Sequence, residues 1–265
     1  MRRFLLAVVL LVLPRAVVAS EVGCPAHVSV TDVTATYYEP ISGGACSLPT
    51  PPGAFYAAIA SSEYAGSEIC GRCVRVTGPE GAITAQIVDE CVDPIGCTSG
   101  HLDLMGQAAF DAIGDPLQGI VPITWETVAC DVGATTMQLQ FQGSNAYYLK
   151  AQVQNHRYGV ASVEMADGPL WIGMTRTLDD HFERSAGGPF VLPYVFRITD
   201  VHGQAVTTDL VASLVNDVPI DTGVQFATCP EPDAALGSGA AAALVAALRA
   251  ARRRAPPRAA PRRSA

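Results

Sequence analysis

Six of the chain's eight cysteines fall between Cys46 and Cys130, with Cys24 and Cys229 outside them. The N-terminus explains how such a pattern is used. Met1-Arg2-Arg3 is followed by an apolar run from Phe4 to Leu13 and by the small-residue stretch Val17-Val18-Ala19. That order is the charged, apolar and cleavage regions of a secretory signal peptide over residues 1–19, and the run is too short for a comfortable membrane span. An even cysteine count behind an export signal implies four disulfides in an oxidising compartment. Two rival readings of Cys70-Gly71-Arg72-Cys73 stay open: a redox pair, and a zinc site completed by Cys91 and Cys97. The redox pair needs a helix N-terminus, whereas Val74-Arg75-Val76 alternates like a strand. Disulfides are the reading we carry forward, with no metal and no cofactor expected.

Charge excludes a class of partners. Only seven of the 17 basic residues lie between residue 16 and Leu236, against all 25 acidic ones. Such a surface repels nucleic acid and acidic pectin, while a neutral glycan is compatible with it. Hydrophobic residues make up 49% of the chain, enough for one or two packed cores.

Residues 24–131 read as β-rich. Thr34–Tyr38, Phe55–Ser61 and Val121–Val128 are strand-like, and Val74–Thr77 and Ile83–Val88 flank a Gly78-Pro79-Glu80-Gly81 turn as a hairpin. Leu104–Ile113 has helical spacing and ends at Gly114, which would put Asp103 at the helix start. After a short linker, residues 134–228 alternate in short runs: Met137–Phe141, Tyr147–Val153, Ala161–Met165, Pro193–Asp200 and Asp209–Leu214. This spacing suggests a β-sandwich without an internal cysteine. Residues 230–265 form an Ala/Arg/Pro-rich tail, read either as low-complexity chain or as a cell-surface sorting signal that anchors transiently.

The stretch Cys70–Val76, the run Ile87-Val88-Asp89-Glu90-Cys91 and the motif Gly100-His101-Leu102-Asp103-Leu104 together resemble the first domain of expansins and the related barwin and family-45 glycoside hydrolase barrels. The resemblance covers about residues 31–228. It implies a mainly β protein, a six-stranded double-psi β-barrel followed by an immunoglobulin-like β-sandwich. It also implies the pairs Cys46–Cys70, Cys73–Cys130 and Cys91–Cys97, which leaves Cys24 and Cys229 for each other. The implied activity is secreted and non-hydrolytic: a monomer that binds cell-wall cellulose or a related β-glucan and loosens it.

On that resemblance Asp103 matches the catalytic acid, because a partly desolvated carboxyl has a raised pKa and can donate a proton to a glycosidic oxygen. Asp89 matches the second acidic residue of the groove, and Thr36 and Tyr37 match the pair that begins it. Glu39 stands where the hydrolases have a general base, so an inverting β-1,4-glucanase with Asp103 as acid and Glu39 as base is the enzymatic alternative. Tyr147 and Tyr148 match an aromatic pair that stacks on cellulose, with Trp171 a further candidate and Lys150 a partner for a sugar hydroxyl. The family's third stacking aromatic falls near Asp179. A barwin-like glycan-binding or defence module, and a peptidoglycan substrate for a lytic-transglycosylase-like acid, are the remaining alternatives. The five histidines show no ligand spacing and read as surface or satisfied core residues.

Overall fold

The computed structural model describes residues 28–40, 42–92 and 96–229. The signal segment, Cys24 and the C-terminal tail lie outside the described residues, and with them the expected Cys24–Cys229 pair and the sorting signal.

Six strands close into a barrel: β1 (Ser29–Tyr38), β2 (Phe55–Ala60), β3 (Cys73–Thr77), β4 (Ala82–Cys91), β5 (Leu102–Met105) and β6 (Val121–Val128), in the order β1-β5-β2-β4-β3-β6. The expected hairpin is β3–β4, with Thr77 opposite Ala82. Two pairs, β1–β5 and β2–β4, are parallel, so residues distant in sequence sit side by side. Period-two alternation sends Ile59, Ile87, Leu102 and Leu104 into the barrel core, where Phe110 and Ile113 close one end. Each such side chain contributes about 1.5–3 kcal/mol on burial.

The helix expected over Leu104–Ile113 is much shorter. Leu102–Met105 is strand β5, Gly106 turns the chain at φ 85°, and only Gln107–Asp111 is α-helical. Leu102 and Leu104 both point inward, a strand alternation that overrides the helical spacing. Asp103 is therefore a mid-strand residue facing outward, not a helix start.

The second half packs two sheets over one core. One holds β9 (Val160–Asp167), β10 (Leu170–Gly173), β13 (Phe196–Asp200) and β14 (Ala205–Thr207). The other holds β7 (Gln138–Phe141), β8 (Leu149–Gln154), β11 (Thr175–Arg176), β12 (Phe182–Arg184) and β15 (Pro219–Asp221), in the order β11-β12-β8-β7-β15. Phe141, Phe182, Phe196, Phe226 and Leu139 fill the space between them. The run Asp209–Leu214 does not become a strand. It contributes one bridge, Val211 to Tyr194; Leu210 faces solvent, Val211 is buried in the core and Leu214 packs against it only in part.

Disulfides join Cys46 to Cys70, Cys73 to Cys130 and Cys91 to Cys97. Cys70 and Cys73 thus belong to different bridges, which removes the redox-pair and zinc readings. The barrel and the sandwich touch through polar contacts to backbone. Tyr64 donates to the Leu178 carbonyl at 2.6 Å, Ser67 to that of Thr177 at 2.7 Å, and Gln152 to that of Cys46 at 2.8 Å. His156, fully buried, packs on Gly71, whose φ is +72° and whose added Cβ would lie 2.4 Å from the ring. Gly71→Ala should therefore lower unfolding free energy by about 1–3 kcal/mol and separate the melting of the two halves, as read by calorimetry.

Candidate functional site

Four residues from four strands form a row on the outside of the barrel. Thr36 of β1 pairs with Asp103 of β5, Asp103 pairs with Ala58 of β2, and Ala58 pairs with Asp89 of β4. The two aspartates are thus two strands apart, about 10 Å between Cα atoms. Ala58 lies between them, buried yet outside the barrel core cluster, so a small side chain floors the groove between two carboxyls. The β2–β4 ladder shifts register between Ala57 and Ala58, where Ile87 and Asp89 are successive partners and Val88 is skipped. This bulge re-aims Asp89. Its Oδ1 accepts from the backbone N–H groups of Ala45 at 2.6 Å and Glu90 at 2.9 Å. Gly44 makes the first contact possible, since a Cβ there would lie 2.4 Å from the Val88 carbonyl.

Asp103 accepts from the Thr36 hydroxyl at 2.6 Å. Behind it, His101 is buried with Nε2 2.9 Å from Thr36 Oγ1 and Nδ1 2.9 Å from Thr34 Oγ1. Burial lowers the His101 pKa, which keeps the ring neutral. Proton counting then assigns the tautomer. Thr36 spends its one proton on ionised Asp103, so Nε2–H donates to Thr36 and Nδ1 accepts from Thr34. Burial raises the Asp103 pKa, Thr36 and His101 pull it down, and the charge of Asp89 pushes it up. Among the described residues no cation lies within ion-pair distance of Asp103 or Asp89.

Tyr37 does not line this groove. Its ring packs on Phe110, 5.0 Å between centroids, against the barrel core. The alternation of β1 instead puts Tyr38 on the Thr36 face. The Tyr38 hydroxyl is buried beside Asp89, and its pKa is raised by burial, then by the charges of Asp89 and Asp103 and by its hydrogen-bonding contact with Asp89. The phenol stays protonated beside both carboxyls. Sequence reasoning missed Tyr38, Ala58 and the Thr34–His101–Thr36 relay. The spacing Thr34, Thr36, Tyr38 on one strand was the available signal. Glu39 follows the end of β1, exposed and with no side-chain hydrogen bond among the described residues.

Beside Asp89 a cleft of about 520 Å³ runs between Ala45, Tyr64 and Glu90 of the barrel and Leu178 and Asp179 of the sandwich. From there the polar groups are linked. Lys150 Nζ donates to Asp179 at 2.7 Å and to Gln142 at 3.0 Å, Lys150 pairs across the ladder with Glu183, and Glu183 accepts from the Tyr148 hydroxyl at 2.8 Å. Tyr147 and Tyr148 precede β8 in a tight turn bridged by Asn145 and Tyr148. The turn frees both from strand alternation: Tyr147 is 64% exposed and Tyr148 half-buried, and neither enters the core. Trp171 does not join them. It lies on β10 of the other sheet, under the Arg197 guanidinium at 4.8 Å. Among the described residues no cluster of His, Cys, Asp and Glu could hold a metal ion, and no helix is long and apolar enough to cross a membrane.

No protein-family model matches the chain. Expansin-like protein 2 of Dictyostelium discoideum is 30% identical over 188 residues, 67% of this chain. The chain spans only 46% of that relative's length. Expansin-YoaJ of Bacillus subtilis is 33% identical over 171 residues, 62% of this chain and 71% of the relative. Among solved structures, the apo expansin of Clavibacter michiganensis superposes with a TM-score of 0.68 at 32% identity, covering 76% of this chain and all of that one. A mutant of that expansin, solved in complex with cellohexaose, matches equally well, at 31% identity.

Two perturbations test the electrostatics of the row. Thr36→Val should raise the Asp103 pKa further, because the lost donation favoured the ionised form, and Asp89→Asn should lower it. Both are read by ¹³C NMR titration of the carboxyl.

Proposed function

Because the chain belongs to the expansin family, we propose that it is an exported protein that holds a neutral β-glucan chain in the barrel groove, docks on cellulose through the sandwich, and loosens the wall without hydrolysis. The observation that carries this reading is the row Thr36–Asp103–Ala58–Asp89, with one partly desolvated carboxyl and a second held in place by the backbone. Asp89 spends Oδ1 on two backbone N–H groups. In this reading the two aspartates and the Tyr38 hydroxyl compete for the hydroxyls of a glucan chain, and Ala58 leaves room for the ring. Tyr147 supplies an exposed aromatic face for a glucose ring, with Tyr148 and Lys150 holding its edge. The cellohexaose complex of the related Clavibacter expansin supports a cellulose-type partner. The arrangement of the barrel and sandwich as separate folding domains, at residues 24–131 and 134–228, belongs to the same proposal.

The inverting glucanase with Glu39 as base draws less support. Such an enzyme needs the base across the scissile bond from the acid, about 6.5–9.5 Å away, with water between. Glu39 lies past the end of β1, exposed, and is not part of the Thr36–Asp103–Ala58–Asp89 row.

The test measures creep of cellulose–xyloglucan strips and release of reducing sugar together. Creep without sugar is expected. Asp103→Asn should abolish creep and leave cellulose binding within about twofold, whereas Tyr147→Ala with Tyr148→Ala should weaken cellulose binding about tenfold or more. Sugar release lost in Glu39→Gln would overturn the non-hydrolytic reading.

A further inference from the structure

A second cleft, of about 570 Å³, lies between barrel and sandwich and takes no part in the site above. Tyr56 near the start of β2 and its partner Gln86 in the middle of β4 form its barrel wall, and Gln138, Gln154 and Asn155 form the sandwich wall. The segment from Gly44 to Leu48 separates it from the Asp89 cleft. That segment is stapled by Cys46–Cys70, held to β4 by the bond from Cys46 N–H to the Val88 carbonyl, and fixed to the sandwich by Gln152.

We propose that this cleft is a second binding site, for a neutral saccharide of two or three rings that contacts barrel and sandwich at once. Its volume is in the range of small-ligand sites, which favour domain interfaces. Its polar groups are neutral amides and hydroxyls, apart from the Asp221 carboxylate, and no lining residue is cationic. Several have unspent capacity in fixed positions. The Gln86 amide donates to the Gly71 carbonyl at 3.1 Å and leaves its oxygen open. The Asn155 amide donates to Thr135 and to the Thr136 carbonyl and likewise keeps its oxygen. The Gln138 side chain makes no hydrogen bond among the described residues. Held acceptors of this kind suit hydroxyl donors, and one carboxylate among them excludes acidic sugars. Leu48, Pro49 and Pro51 supply an apolar side, and the Tyr56 hydroxyl is pinned to the Pro51 carbonyl at 2.8 Å, so the wall is rigid. Apolar and amide surfaces facing each other match the two characters of a pyranose, its C–H face and its hydroxyl rim.

The inference does not rest on the proposed wall-loosening, and its test follows only the cleft. Cellotetraose is titrated into the full chain carrying Tyr147→Ala and Tyr148→Ala, while the side-chain amide signals of Gln86, Gln138 and Asn155 are followed by NMR. Saturable shifts are expected. Adding Ala134→Trp, an exposed position on the rim, should weaken the affinity about tenfold, and Gln138→Ala about fivefold. Tetragalacturonate should leave the signals unmoved. Absence of shifts, shifts indifferent to both Ala134→Trp and Gln138→Ala, or equal binding of tetragalacturonate would overturn the proposal. Loss of creep or of cellulose binding in the unsubstituted protein bears on the wall-loosening reading alone.

Discussion

A carboxyl drawn partly out of water without a cation beside it is the constraint around which the barrel is arranged. Asp103 keeps its ionised form accessible chiefly through one short bond from Thr36, and His101 holds that threonine from behind. Placing Asp89 on the next strand but one opposes ionisation further, and it is tolerated because Asp89 is itself answered by two backbone N–H groups. The bulge at Val88, the close approach of Gly44 and the small Ala58 each serve this spacing. A larger residue at Ala58 would fill the groove, and a regular ladder through Val88 would turn Asp89 away.

Much of this was legible in the sequence, and several of the misses share one cause. The strand–turn–strand of β3 and β4 follows from alternation around a Gly-Pro turn, and the short runs of the sandwich follow from alternation again. What failed was choosing between periods where apolar residues are dense. Leu102 to Ile113 satisfies both the strand and the helix pattern, and only Gly106, turning at positive φ, divides them. Tyr37 and Tyr38 pose the same problem at single-residue scale: adjacent tyrosines on a strand face opposite ways, so the family match to Tyr37 could not reveal that Tyr38 is the one beside the acids. Ala58 carries no chemical signal at all. Its role comes from standing between two aspartates brought together by a parallel and an antiparallel pairing, and closure of a barrel is not written in any local window.

Trp171 shows how far side-chain type can mislead without topology. It looked like a further stacking residue because large aromatics suit glucose rings. The sheet order puts it on the opposite outer face from Tyr147, where Arg197 covers it and pairs in turn with Glu164. Lys150 behaves differently: read as a partner for a sugar hydroxyl, it lies beside Tyr148 but is already held by Asp179. An ion pair thus stands near where the family's third aromatic would stack, so the stacking surface narrows to the two tyrosines.

The contact between barrel and sandwich matters because the two proposed tasks are divided between them. A sandwich seated on a crystalline surface and a barrel gripping a single chain act on one another only if the joint between them resists bending. A short linker alone would let each move separately. Here the joint is made of directional bonds from Tyr64, Ser67 and Gln152 to backbone carbonyls, which cannot slide without breaking, and of His156 pressed on Gly71, which leaves no room to close further. Burial lowers the His156 pKa to about 4, so the ring stays neutral at neutral and mildly acidic pH. The packing of His156 on Gly71 therefore carries no buried charge at neutral and mildly acidic pH, and the joint keeps its stiffness there.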